Sequence, residues 1–304
     1  MYSLNLKIFA VVVTYNRLEL LKENLIALQG QTYNLEKIVI VNNNSTDGTT
    51  EYLNNNLKGL PLFEVVNLNE NIGGSGGFYE GIKSAVSQKC DWVWIMDDDT
   101  IPTQAALEKL VEKTDIVKDT GFLGSKVLFT DGSPHVMNNV PPATNHIRKI
   151  QWNAFEDKKL LAAGFVSFVS CLINTEAIKK VGLPYKDFFI WGDDKEYTER
   201  MIDAGFFGGL VLDSIAYHKT KDNYSVDLLS ANDSLAWKYF YGERNRVFIE
   251  KRNRSKKSFF LWFLLDSRQI KKTLKKIPDN KNLKAAVKKG RWKGIFFNPT
   301  IDFV

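Results

Sequence analysis

The sequence predicts an α/β fold, a doubly wound and mostly parallel sheet flanked by helices, with a basic helical tail after it. Three observations carry this. Short β-branched or aromatic runs, almost continuously apolar, recur at residues 9–15, 37–41, 63–68 and 92–96, as strands buried on both faces require. Helical patterns lie between them: Leu18, Leu21, Leu25 and Leu28 recur at helical spacing, 45–56 opens on a capping cluster, and 73–88 and 103–119 complete the set. Strand–helix alternation of this kind builds a parallel sheet. The third observation is charge: the net value of +6 hides an excess of 13 positive charges in residues 251–304.

The second half has a different rhythm. Residues 121–129, 165–173 and 209–216 read as strands, and 175–181, 193–204 and 229–252 as helices. No proline-glycine linker divides the halves, so residues 1–120 and 121–250 are expected to share one sheet in a single domain, 1–250. Residues 251–304 form the tail.

Composition excludes several classes. With only two cysteines, Cys90 and Cys171, there is neither a disulfide framework nor a thiolate metal cluster, and a reducing compartment is expected. The N-terminal segment has no long apolar core or cleavage site for a leader. The longest apolar run in the tail, 259–265, has seven residues against the ~20 that a membrane-spanning helix needs.

The tail alternates KRNRSKK, SFFLWFLLD, RQIKKTLKK and KKGRWKGIFF. Apolar residues at an acyl boundary with Lys and Arg against anionic headgroups would give peripheral attachment to the inner face of the cell membrane, from the cytoplasm. The alternative is a solvated helical hairpin packed on the body. An acidic body beside a basic tail is not the single basic face of a nucleic-acid binder, so no nucleic-acid partner is expected.

Ligands of doubly wound sheets bind at the carboxyl ends of the strands. There the sequence places Asp97, Asp98 and Asp99, directly after WVWIM. Two like charges ~4 Å apart repel by about 4 kcal/mol at an effective dielectric of ~20, so a cation is expected. Oxygen ligands favour Mg²⁺ or Mn²⁺, and an imidazole would tilt the choice to Mn²⁺. The competing reading is a helix start at Asp99-Thr100 with Pro102 in its first turn.

NENIGGSGGFYEG, 69–81, spaces Gly73, Gly77 and Gly81 by four at a helix start. Such glycines admit either a phosphate against backbone amides or a closely packed neighbour. In WGDDKEYTER, Asp193 opens a helix with Asp194 next to it, so one carboxylate can face the cleft while the other caps the helix; an ordinary acidic first turn is the alternative.

Taken in order, VVVTYNR, IVNNNSTDGT, NIGGSGGF and WIMDDD resemble the nucleotide-binding half of inverting family 2 glycosyltransferases with the GT-A fold, over residues 9 to about 220. The glycine segment, WGDDKEY and a later histidine look most like bacterial galactofuranosyltransferases and their rhamnosyltransferase relatives. The resemblance implies donor binding by Thr14, Arg17, Asn43, Asn71, Gly74 and Asp98, and a metal, Mn²⁺ or Mg²⁺, on Asp97, Asp99 and His218. It makes Asp194 the catalytic base, with Asp193 and Trp191 on the acceptor side. One departure stands out: the usual VDDGS is VNNNS here, so Asn43 would meet the nucleotide base through an amide. A lone histidine such as His218 is otherwise a satisfied polar residue, and Trp191 is equally suited to stacking on a sugar or packing in the core. His135 and His146 lie in a proline-rich stretch, 131–149, expected as a mobile loop near the acceptor.

The resemblance implies transfer of a sugar from a nucleoside-diphosphate donor, UDP-galactofuranose first and dTDP-rhamnose second, to a lipid-linked glycan acceptor in cell-surface polysaccharide synthesis. A nucleotidyltransferase would carry a glycine-rich loop after the first strand, where TYNRLEL has Arg17 and no glycine. A noncatalytic sugar-binding protein would not need the carboxylates.

Overall fold

A computed structural model describes residues 6–140, 149–231, 233–277 and 280–304. His146 and the rest of residues 141–148 of the proline-rich stretch lie outside the described residues. In chain order the elements are β1 (Ile8–Thr14), α1 (Leu18–Gln29), β2 (Lys37–Asn42), α2 (Thr49–Asn56), β3 (Phe63–Asn67), α3 (Gly73–Ser87) and β4 (Trp92–Asp97). They continue with β5 (Thr100–Pro102), α4 (Ala106–Val111), β6 (Thr120–Leu128), β7 (Leu160–Ala162), β8 (Cys171–Asn174), α5 (Thr175–Val181), α6 (Asp193–Asp203) and β9 (Phe207–His218). Three helices close the chain: α7 (Ala236–Asn253), α8 (Lys256–Lys276) and α9 (Lys281–Phe296).

One mixed sheet of nine strands runs in the order β3-β2-β1-β4-β8-β6-β9-β5, with β7 on β9. β3, β2, β1 and β4 are mutually parallel; β8 joins them antiparallel and carries the sheet into the second half. The halves do share one sheet. Alternation in β1 shows why its sequence is apolar throughout: Phe9, Val11 and Val13 enter the layer under α3, α5 and α6, while Ile8, Ala10 and Val12 enter the layer under α1, α2 and α4.

Three expectations need correction. The strand read at 165–173 is confined to β8, because residues 165–169 cross the strand ends, where Val166 and Phe168 fill the core. The helix read at 103–119 shrinks to α4, and residues 100–102 form β5, antiparallel to β9 with Thr100 opposite His218. The helix read at 229–252 begins only at Ala236, after short 3₁₀ turns.

The tail is helical and folds back on the body. Arg291 of α9 donates to Glu243 of α7 at 3.0 Å and to Asp266 of α8 at 2.6 Å, and Lys251 donates to the carbonyls of Ile295 and Phe297. At the C-terminus Asp302 accepts from the Tyr79 hydroxyl at 2.7 Å. Among the described residues no helix is long and apolar enough to cross a membrane.

The glycines of α3 also find their reason. A Cβ at Gly77 or Gly81 would overlap Val13 or Val11 of β1, so both serve close helix–sheet packing. Gly81→Ala should destabilise the protein by about 1–3 kcal/mol through overpacking, outweighing the ~1 kcal/mol that Ala gains in a helix. A lower urea midpoint at unchanged m value checks this.

Candidate functional site

A cavity of about 760 Å³ opens at the carboxyl ends of the parallel strands. All the residues singled out from the sequence line it. Thr14, Arg17, Asn43, Asn71, Gly74, Asp97 to Asp99 and His218 are among its lining, together with Trp191, Asp193 and Asp194.

The β5–β9 pairing sets the acidic end. Antiparallel register puts Thr100 opposite His218, and the Lys219 N–H donates to the Asp99 carbonyl at 2.8 Å, so His218 arrives beside Asp99 with Nε2 3.3 Å from Oδ1. Asp97, Asp99 and His218 each offer a ligand atom within 4.8 Å of the others. The donors fit a divalent cation. Asp99 Oδ1 is buried and makes no hydrogen bond. Asn138 donates to Ser167 Oγ at 2.9 Å and thereby aims its Oδ1 at His218 Nδ1, 2.8 Å away. With the proton on Nδ1, the Nε2 lone pair faces a carboxylate oxygen. Two acceptors so placed repel unless a proton or a metal ion lies between them, and either one brings positive charge to Asp99.

Charge in this corner is divided unequally. Burial, then Asp99, pushes Asp97 up to about 7. Asp99 goes the other way: burial opposes ionisation, but His218 and Arg17 outweigh it and hold the carboxyl below its ordinary value. Arg17 reaches Asp99 Oδ2 and Asp98 Oδ1. Asp98 accepts from the Thr14 hydroxyl at 2.7 Å and from the Tyr15 N–H, so its carboxylate is engaged by the end of β1; burial still raises it to about 6. His135 lies under His218 with ring centroids 4.5 Å apart and bonds Thr220 Oγ1 through Nε2. Burial, then His218, depresses it to about 4.

The glycine segment is held from two sides. The Asn43 amide donates to the Gly73 carbonyl at 2.9 Å and its oxygen accepts from the Ile72 N–H at 2.9 Å. Both ends of the carboxamide expected at the nucleotide base are thus bonded to the α3 entry. Asn71 accepts from the Gly73 N–H. Gly73 sits at φ +78°, and a Cβ there would overlap Phe189; the Ser75 N–H donates to the Phe189 carbonyl at 3.2 Å. Of Gly73, Gly74, Gly76 and Gly77, only Gly74 has open space where a Cβ would be.

Phe189 leads to the acid pair. Residues 188–192 turn sharply, with positive φ at Phe189, Trp191 and Gly192, and this turn feeds α6. The expectation that one aspartate caps α6 is not met: Gly192 is the N-cap residue and no side chain caps the helix. Both Asp193 and Asp194 face the cleft. Burial, then Asp193, lifts Asp194 to about 7; burial also raises Asp193, with Ser75 pulling the other way.

α7 holds that turn by its carbonyls. Asn245 donates to the carbonyls of Phe188, Ile190 and Trp191 at 2.9, 3.1 and 2.8 Å. Its neighbour Arg244 donates to the carbonyls of Asp187 and Phe188. Trp191 packs edge-on against Tyr239 at 5.0 Å and also lines the cleft. Asn245 and Asn138 are site residues that sequence reasoning missed, since neither lies within a recognisable spacing of its partner, and His135, expected in a mobile loop near the acceptor, is instead buried against His218.

A doubly wound sheet with a metal-competent acid cluster at the end of β4, faced by a second acid pair, defines a glycosyltransferase of the GT-A fold. The chain belongs to glycosyl transferase family 2, whose family model matches residues 9–182. It is 27% identical to galactofuranosyltransferase GlfT1 of Mycobacterium tuberculosis over 290 residues, 88% of this chain and 91% of that one. It is 24% identical to GlfT1 of Mycolicibacterium smegmatis, over 86% and 90% of the two chains. Solved structures share the fold: GalNAc-T7 with UDP, GalNAc and Mn²⁺ superposes with a TM-score of 0.60 at 16% identity, over 81% of this chain but only 48% of that one. The mannosyltransferase PcManGT of Pyrobaculum calidifontis, with GDP-Man and Mn²⁺, gives 0.55 at 16% identity over 97% and 74%.

Two outcomes follow from the geometry. Asn245→Ala leaves three carbonyls of the 188–192 turn without their donor, at about 1–3 kcal/mol for the unsatisfied groups, and should speed amide exchange across 188–192. Asp194→Asn should melt higher than wild type at pH 8. A carboxyl whose folded pKa is raised lends its stability below the unfolded value, near 4, and loses it as pH rises through about 7. The difference in Tm therefore shrinks as pH falls from 7 toward 4.

Proposed function

We propose that this glycosyltransferase moves galactofuranose from UDP-galactofuranose to a lipid-linked saccharide, with inversion at the transferred carbon. The observation that carries the reading is one cleft holding a cation site and, facing it, a carboxylate poised near neutrality. Likeness to galactofuranosyltransferases along most of both chains supports the choice of sugar.

Asp97, Asp99 and His218 would hold Mn²⁺ or Mg²⁺; bound there, the ion supplies Lewis-acid neutralisation of the charge on a departing diphosphate. Thr14, Arg17, Asn71 and Gly74 shape the donor half of the cleft. Asn43 and Asp98 act in it through what they hold, the α3 entry and the end of β1. Asp194 accepts the proton of the attacking hydroxyl, and its pKa of about 7 matches a base working at neutral pH. Asp193 and Trp191 orient the acceptor. Exclusion of water depends on the same apolar lining, Phe165, Phe168 and Phe189 among it, which keeps the hydroxyl of the acceptor in preference to that of water.

The tail, residues 251–304, fits attachment to the inner face of the cell membrane. α8 leaves Phe260, Leu261, Leu264 and Leu265 exposed between clusters of lysine and arginine. Such a surface suits an anionic bilayer and an acceptor anchored in it.

Calorimetry with UDP-galactofuranose tests the donor site: Asp99→Ala should abolish the Mn²⁺-dependent part of binding, and equal affinity in wild type and variant would reject the metal assignment. Asp194→Asn should bind donor normally and lose about 10²–10⁴-fold in kcat. In wild type, kcat should fall as pH drops below about 7, because the protonated carboxyl no longer accepts a proton. An acid limb that stays flat down to pH 5 would remove Asp194 from the role of base.

A further inference from the structure

We propose that the cleft between α8 and α9 binds a long-chain lipid phosphate, its anionic group among the lysines and its chain along the apolar wall. The proposal rests on the reading of the tail as a membrane-facing element, and is independent of which sugar is transferred. A cavity of about 600 Å³ lies between the two helices. Lys271 and Lys275 enter it from α8, one turn apart, and Lys284 and Lys288 enter it from α9, also one turn apart.

No carboxylate lines this cavity. Among the described residues none of the four lysines makes an ion pair, whereas Arg246, Arg254 and Arg291 around them are all paired. Four like charges gathered about one space repel, and a bound anion reverses the sign of that interaction. The rest of the wall is apolar, from Phe263, Ile270, Leu274 and Trp292. A free inorganic anion gains nothing from such a wall. An amphiphile does, and the track continues outward on α8 to Phe260 and Leu264, which are 65% and 42% exposed.

Position adds a second argument. Ile270 and Leu274 belong to the small apolar cluster that also takes in Trp191, Leu228 and Tyr239, three residues that line the catalytic cleft. Arg291, on the inner side of the lysine cavity, bonds Glu243, which lines the catalytic cleft. One packed wall therefore separates the two cavities. A lipid phosphate seated between α8 and α9 would bring whatever saccharide it carries to the Trp191 side of the cleft.

Calorimetry on the full chain tests the site with dodecyl phosphate as the probe, inorganic phosphate as the chainless arm, and two charge-matched variants. Lys275→Gln/Lys284→Gln removes two cleft lysines; Lys256→Gln/Lys257→Gln removes the same charge at the start of α8, outside the cleft. We expect saturable binding of dodecyl phosphate that weakens about tenfold or more in the first variant, changes little in the second, and greatly exceeds the binding of inorganic phosphate. Equal loss in both variants would mean diffuse attraction to the basic tail and would overturn the site. No loss in either, or inorganic phosphate binding as tightly as dodecyl phosphate, would overturn it as well. Binding of UDP-galactofuranose to the same proteins reports the catalytic cleft separately, so a failed lipid site is distinguishable from a failed donor assignment.

Discussion

Three carboxylates crowded at the end of one buried strand repel each other unless positive charge is brought to them, and the architecture around β4 is arranged to bring it. Arg17 comes from the loop after β1, and His218 comes from the far end of β9 through the short β5 pairing. Asp98 is drawn off toward Thr14, which separates it from Asp97 and Asp99 and leaves those two with His218 as a donor set for an ion. His218 Nε2 faces an oxygen of Asp99, a contact that a proton or a metal ion between them makes favourable. The cluster is thus arranged to accept a divalent cation.

Opposite that cluster, α7 is the element on which the other half of the cleft depends. Its Asn245 and Arg244 hold the carbonyls of the turn that presents Trp191, Asp193 and Asp194. Its Arg252 reaches the fully buried Glu196 of α6, which Arg200 also pairs. Removing one partner from a buried group of this kind is strongly destabilising, because it strands a charge away from water. On its outer side Glu243, Arg246, Asp266 and Arg291 form a second charged group joining α7, α8 and α9. The tail is consequently joined by ion pairs to the helix that holds the Trp191 turn.

The glycine-rich segment shows how one motif divides between packing and function. Gly77 and Gly81 let α3 lie close on β1, and Gly73 lets the start of α3 touch the Phe189 turn. That last contact joins the two halves of the cleft directly, since Asn43 grips the Gly73 carbonyl from the other side. Substrate-facing roles are left to a small part of the run.

Sequence alone determined the strands that are apolar on both faces, because burial from two sides leaves no polar alternation and the pattern is local. It also determined which residues would gather at the cleft, since strand ends of a doubly wound sheet converge on one edge and every candidate from Thr14 to His218 lies there. What it did not contain were contacts made across long separations by short or irregular elements. β5 has three residues, too few for a periodic signal, yet it decides that His218 meets Asp99. Asn138 aligns His218, and Asn245 holds the Trp191 turn, through single side-chain amides, and an isolated asparagine has no spacing to betray its partner. The tail was legible as basic and amphipathic. Only the packing of α9 on α7 and α8 showed that Arg291 is paired with Glu243 and Asp266 while Lys271, Lys275, Lys284 and Lys288 line one cleft, because charge pairing is a property of neighbours in space.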